Sequence, residues 1–66
     1  MQAASVTTEV AANYIGLAGS TLEKLRVRGG GPLYIKMGRA VRYRIGDLDR
    51  WLDDRVVSST SEQASR

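Results

Sequence analysis

Seven cationic side chains, Lys24, Arg26, Arg28, Lys36, Arg39, Arg42 and Arg44, fall between residues 23 and 44 against one acid, Glu23. The flanking residues 1–22 and 45–66 together carry −3, so a net charge of +3 conceals +6 in the middle third of the chain. Ammonium and guanidinium groups are donors only, and phosphate oxygens are the acceptors that match them. A cationic segment this dense is suited to a polyanion. Catalysis has far less to work with. The chain has no histidine and no cysteine, which removes disulfides, most zinc sites and the commonest general base. Asp47, Asp49, Asp53 and Asp54 invite a reading as paired carboxylates or a cation site. They lack the loop pattern of a calcium site and any nearby base, and Arg50 stands at i+3 and i+4 from Asp53 and Asp54 for ordinary surface pairs. The expectation is a protein that is not an enzyme, with no cofactor, no metal and no small-molecule substrate.

The elements that must position these cations are short. Sixty-six residues make one domain, near the size where a single core supplies only roughly 3 to 5 kcal/mol of net stability. No run approaches the roughly 18 apolar residues of a membrane helix, and Met1-Gln2-Ala3-Ala4-Ser5 lacks the basic and apolar regions of a signal peptide. A cytoplasmic protein with no membrane partner is expected.

Thr7 or Thr8 can N-cap a first helix in which Val10, Ala11, Tyr14 and Ile15 make one apolar stripe. Gly16 ends it with the left-handed backbone of a sharp helix exit, and Leu17 can drop between this helix and the next. The second helix runs from about Ala18 or Gly19 to Arg28. At about 100° per residue, Ala18, Leu22 and Leu25 cluster on one side, while Ser20, Glu23, Lys24 and Val27 point away. A capped helix, a glycine turn and a second helix with an outward polar side is the layout of a helix-turn-helix, which presents its second helix to the DNA major groove.

Gly29-Gly30-Gly31-Pro32 cannot continue a helix. Beyond it Leu33, Ile35 and Met37 alternate with Tyr34 and Lys36, and Val41, Tyr43 and Ile45 alternate with Arg42 and Arg44, so both segments read as half-buried strands. A three-residue loop Gly38-Arg39-Ala40 keeps the apolar sets together, pairing Met37 with Val41, Ile35 with Tyr43 and Leu33 with Ile45. It sets Lys36 opposite Arg42 and Tyr34 opposite Arg44 on the outer side, where like charges call for an anion between them. A two-residue loop would set Ile35 opposite Arg42 and mix the sides.

A third helix of about two turns follows, with Gly46 at its cap, acids in its first turn, and Leu48, Trp51, Leu52 and Arg55 spaced i, i+3, i+4, i+7. Trp51 is the expected core anchor. The domain is thus expected over residues 1–55, with 56–66 a disordered polar tail.

In order and spacing the chain resembles the excisionase-type winged helix-turn-helix proteins of the MerR superfamily, found in phages and mobile elements. The matching residues are Thr7-Thr8-Glu9-Val10-Ala11 with Tyr14-Ile15-Gly16, then Ser20-Thr21-Leu22, then Gly31-Pro32-Leu33-Tyr34-Ile35-Lys36-Met37-Gly38-Arg39, Val41-Arg42-Tyr43-Arg44, and Asp47-Leu48-Asp49 with Trp51-Leu52. They span residues 6 to 55. The chain departs from the family pattern at Ala18 and Gly19, where a Ser or Thr cap and a polar residue are usual, which weakens the cap by about 1 kcal/mol. The resemblance implies an α+β fold, a winged helix-turn-helix of three short helices plus a two-stranded antiparallel hairpin, the wing. It also implies a recombination directionality factor, an excisionase that binds and bends DNA at an attachment site so that an integrase excises. Its partners would be double-stranded DNA, the integrase and neighbouring copies of itself on DNA. A small phage or bacterial transcription regulator is the alternative, and an adaptor docking acidic protein partners through the same cations is the alternative of another class.

The expected contacts of the second helix come from Ser20, Thr21, Glu23, Lys24, Val27 and Arg28. Lys24 reaches phosphate or guanine, Glu23 accepts from cytosine N4, and Val27 touches a thymine methyl or is simply exposed. Arg28, like Arg26, also suits a helix C-terminus without any ligand. The expected wing contacts come from Tyr34, Lys36, Arg39, Arg42 and Arg44. Edge-strand charges that discourage aggregation explain one or two of these cations, not four in nine residues. Arg39 at the hairpin tip is the minor-groove probe, since arginine is drawn to narrow A·T-rich grooves.

Overall fold

A computed structural model describes residues 5–58 of the chain. Three helices and a two-stranded antiparallel hairpin follow one another as α1 (Thr8–Ile15), α2 (Gly19–Arg28), β1 (Ile35–Met37), β2 (Ala40–Arg42) and α3 (Ile45–Asp53). The arrangement is small, α+β, and compatible with a winged helix.

Thr7 caps α1, its Oγ1 accepting from the Val10 N–H at 3.2 Å. At the other end Gly16 adopts φ 83, its N–H donating to the Asn13 carbonyl and the Leu17 N–H to that of Ala12. This double closure is a Schellman motif, and glycine carries it without the steric cost of a Cβ. The side of α1 turned inward carries Ala11 and Ala12, both buried, with Ile15 half-buried. The expected stripe is rotated: Val10 and Tyr14 are about half exposed. Two alanines let a neighbouring helix approach closely, and Tyr14 keeps its hydroxyl outside, where it donates to Asp49 Oδ1 of α3 at 2.6 Å.

The backbone of Ala18 makes the N-terminus of α2 without a side-chain cap. Leu22 anchors the helix with no exposed surface, and the Gly29 N–H closes it onto the Leu25 carbonyl. Gly31 lies so close to α2 that a Cβ there would meet Leu25 Cβ at 2.9 Å, so its lack of a side chain sets how the loop folds back.

The hairpin differs from the expected register. Ile35 pairs with Arg42, Lys36 with Val41 and Met37 with Ala40 across a two-residue loop, Gly38-Arg39. Gly38 has φ 60 while Arg39 is not at positive φ, the signature of a II′ turn, whose twist matches that of paired strands. Apolar faces do not set this register because the paired strands have little apolar surface to protect: Met37 is exposed, as is Leu33 before β1, and within the strands the half-buried apolar residues are Ile35 and Val41. The facing pairs Lys36–Arg42 and Tyr34–Arg44 are therefore not formed. Tyr43, expected opposite Ile35, instead forms an antiparallel bridge with Val6, each N–H donating to the other's carbonyl at 2.8 Å. Ile45, expected in the strand, opens α3. Arg44 stands at the cap position and Gly46 inside the first turn.

The core consists of Ala11, Ala12, Leu22, Tyr43 and Leu48, with Val6, Ile15, Val41 and Ile45 packed against it. Full burial of Leu22 and of Leu48 contributes roughly 2 to 3 kcal/mol each. Trp51 is not the anchor, being half-buried at the edge of α3 with its indole N–H donating to the Gly30 carbonyl at 2.9 Å. An indole N–H needs an acceptor, and the glycine loop offers one only at the rim. Beyond α3, Val56, Val57 and Ser58 are exposed. The rest of the expected tail lies outside the described residues.

Candidate nucleic-acid interface

The outward side of α2 is open. Ser20, Thr21, Glu23, Lys24, Val27 and Arg28 are all exposed, opposite buried Leu22. Five of them, all but Thr21, line one open depression of about 340 Å³. Val27 is 86% exposed at its edge, an apolar group that makes no contribution to the core. The side chains of Lys24 and Arg28 make no hydrogen bond or ion pair with another described residue. A helix held by one side and carrying free cationic donors, two hydroxyls, one carboxylate acceptor and one apolar contact on the other has what direct reading of base edges and phosphates requires.

The hairpin cations divide in two. The side chains of Lys36 on β1 and Arg39 in the turn are exposed and make no hydrogen bond or ion pair to another described residue. Arg42 is half-buried: its Nε donates to Ser5 Oγ and its Nη2 to the Ser5 carbonyl, both at 3.2 Å. Arg44 donates through Nε to Asp47 Oδ2 at 2.7 Å, the one ion pair among the described residues. Asp47 is the less exposed partner, in the first turn of α3, where its charge also complements the helix dipole. Arg42 thus ties the N-terminal segment to β2 and Arg44 ties the strand exit to α3. Tyr34, just before β1, is 42% exposed, with its ring 6.1 Å from that of Tyr43.

Two further arginines, Arg26 and Arg55, are engaged within the fold. Arg26 lies in the basic segment but turns inward, where its Nη1 donates to Tyr43 Oη at 3.1 Å and to Thr8 Oγ1 at 3.4 Å. The signal for this was its i+4 spacing from Leu22, which puts both on the buried side. Arg55 donates through Nη2 to the Gly30 carbonyl at 2.8 Å and through Nη1 to the Trp51 carbonyl, with its guanidinium 4.0 Å above the Trp51 ring. Its place at i+4 from Trp51 was legible, but its target in the glycine loop was not.

The acids do not converge. Asp47 is held by Arg44 and Asp49 accepts from Tyr14, whose phenol is pushed above its ordinary value chiefly by that hydrogen bond. Arg50 makes no ion pair with Asp53 or Asp54, contrary to the helical spacing, as expected where exposed side chains gain little from pairing. Among the described residues no three acids come together to hold a metal ion, and no helix is long and apolar enough to cross a membrane. Comparison of the chain with protein-family models and with curated proteins gives no match.

Proposed function

We propose that this protein binds double-stranded DNA as a winged helix-turn-helix, with α2 in the major groove and the hairpin as a wing in the adjacent minor groove. The observation that carries the reading is the two-sidedness of α2: Leu22 fully buried, and Ser20, Thr21, Glu23, Lys24, Val27 and Arg28 all exposed after the Gly16 turn. The exposed cations Lys36 and Arg39 on the hairpin support a second contact with the backbone or the groove. No catalytic step is required, and the protein acts where its DNA is, in the cytoplasm of a bacterial host.

Within DNA binding, the reading is an excisionase. One copy offers a helix and a short hairpin, comparable to single modules that bury roughly 600 to 1,000 Å² of protein surface. Specificity then needs several copies side by side, and copies phased along the duplex share the cost of bending, of order 1 to 6 kcal/mol for a 20 to 30 bp site. A bent segment is what an integrase needs in order to assemble for excision. A permuted-fragment gel assay and an excision assay test this. Binding head to tail on direct repeats, bending that grows with occupancy, and excision stimulated by a cognate integrase are expected. Binding at one inverted repeat without bending or effect on recombination would make the protein a transcription regulator. Binding to an acidic protein that duplex DNA fails to compete away would make it an adaptor.

A further inference from the structure

The Arg26 guanidinium touches three separate parts of the chain. Nη1 donates to Thr8 Oγ1 at the start of α1 and to the hydroxyl of Tyr43 just after β2, and Cζ lies 5.8 Å from the centre of the Tyr34 ring just before β1. Tyr34 and Tyr43 in turn lean on each other at 48° between ring planes. Tyr43 has no exposed surface, and a buried phenol needs a partner for its hydroxyl. Arg26 supplies that partner as a charge-assisted donor. One side chain of α2 therefore holds both strands' flanking tyrosines and the first turn of α1.

We propose that Arg26 is a positioning residue, setting the angle between α2 and the hairpin rather than binding phosphate. The proposal rests on the reading of α2 and the hairpin as two DNA-contacting elements. A helix and a wing engage two grooves of one duplex only if their separation and angle are fixed beforehand, because each ordered element that must be found on binding weakens affinity. One nitrogen, Nη1, donates to both oxygens while the planar guanidinium carbon stays beside the Tyr34 ring, and the tetrahedral ammonium of lysine has no planar group to lay against that ring.

The test uses the full chain with Arg26→Lys and Arg26→Gln, examined by amide NMR without DNA and by duplex affinity across a salt series. Amide shifts are expected to change at Thr8, Tyr43 and along the hairpin from Tyr34 to Arg42, with the helices otherwise intact. Both variants, once folded, should bind duplex about tenfold more weakly, Lys no better than Gln, while the slope of log K against log salt stays that of wild type. An Arg26→Lys protein that binds like wild type, beside an Arg26→Gln protein whose slope is shallower by about 0.9, would make Arg26 a phosphate ligand and overturn the proposal. Variants that melt earlier yet bind like wild type when folded would overturn it in favour of stability alone. Should either fail to fold, Tyr43→Phe removes only the hydroxyl, and unchanged affinity there overturns the proposal too. If wild type binds no duplex, the DNA reading falls. The amide shifts still judge Arg26, since changes confined to α2 sink its link to the hairpin.

Discussion

The guanidinium of Arg55 lies 4.0 Å above the ring of Trp51, and both side chains donate to the same carbonyl, that of Gly30. The end of α3 thereby holds the loop that leads from α2 into the hairpin. Because one oxygen accepts both bonds, the two side chains act as a unit.

That arrangement predicts non-additive losses. Trp51→Phe removes one hydrogen bond, worth roughly 0.5 to 1.5 kcal/mol, and Arg55→Ala removes two, to the Gly30 and Trp51 carbonyls, together with an exposed cation–π contact of roughly 0.5 to 1 kcal/mol. Urea unfolding of the single and double variants should give a double-variant loss smaller than the two single losses together. Strict additivity would show that the two donors are independent.

Two glycines should respond to alanine in opposite directions. At Gly31 a Cβ falls 2.9 Å from Leu25 Cβ, and overpacking of this kind costs roughly 1 to 3 kcal/mol. At Gly46, in the first turn of α3, nothing lies within 4 Å and φ is not positive, so alanine should stabilise by roughly 0.4 to 1 kcal/mol. Thermal melts read both. A stable Gly31→Ala protein would mean that the loop does not sit against α2.

The Tyr14–Asp49 bond gives stability a pH dependence at the alkaline end. The hydrogen bond to Asp49, then partial desolvation, then the carboxylate charge raise the Tyr14 pKa above its ordinary 10.0. With the folded-state pKa above the unfolded one, the contribution is complete below pH 10.0 and is lost as pH rises through the raised value. Tyr14→Phe should therefore be less stable than wild type at neutral pH, with the difference closing in strong alkali. A difference that stays constant across that range would show that the bond is not formed.

Much of this structure follows from local chemistry. Thr7 and Gly16 bracket α1 because a hydroxyl cap and a left-handed glycine act on the residues beside them, and the glycine run ends α2 for the same reason. The hairpin register was not legible, since a short exposed hairpin takes its register from turn geometry at Gly38 and not from apolar alternation. Tyr43 shows the deeper limit: its alternation marked it correctly as buried, but its strand partner is Val6, 37 residues away, and nothing local encodes that pairing. In the candidate site the outward residues of α2 follow from helical spacing. Charge counting cannot separate Lys36 and Arg39 from Arg42, whose partner Ser5 lies 37 residues away, whereas the Arg44–Asp47 pair at i,i+3 was within local reach.

DNA binding through the free cations is the central claim, and the salt dependence of affinity for a duplex tests it most directly. The side chains of Lys24, Arg28, Lys36 and Arg39 have no partner among the described residues, and four phosphate contacts give a slope of log K against log salt of about −4. Arg39→Gln should make that slope shallower by about 0.9, while Arg42→Gln, which disrupts the two bonds to Ser5, should leave it unchanged. A flat salt response of the wild-type protein, or no duplex binding at low salt, would contradict the claim.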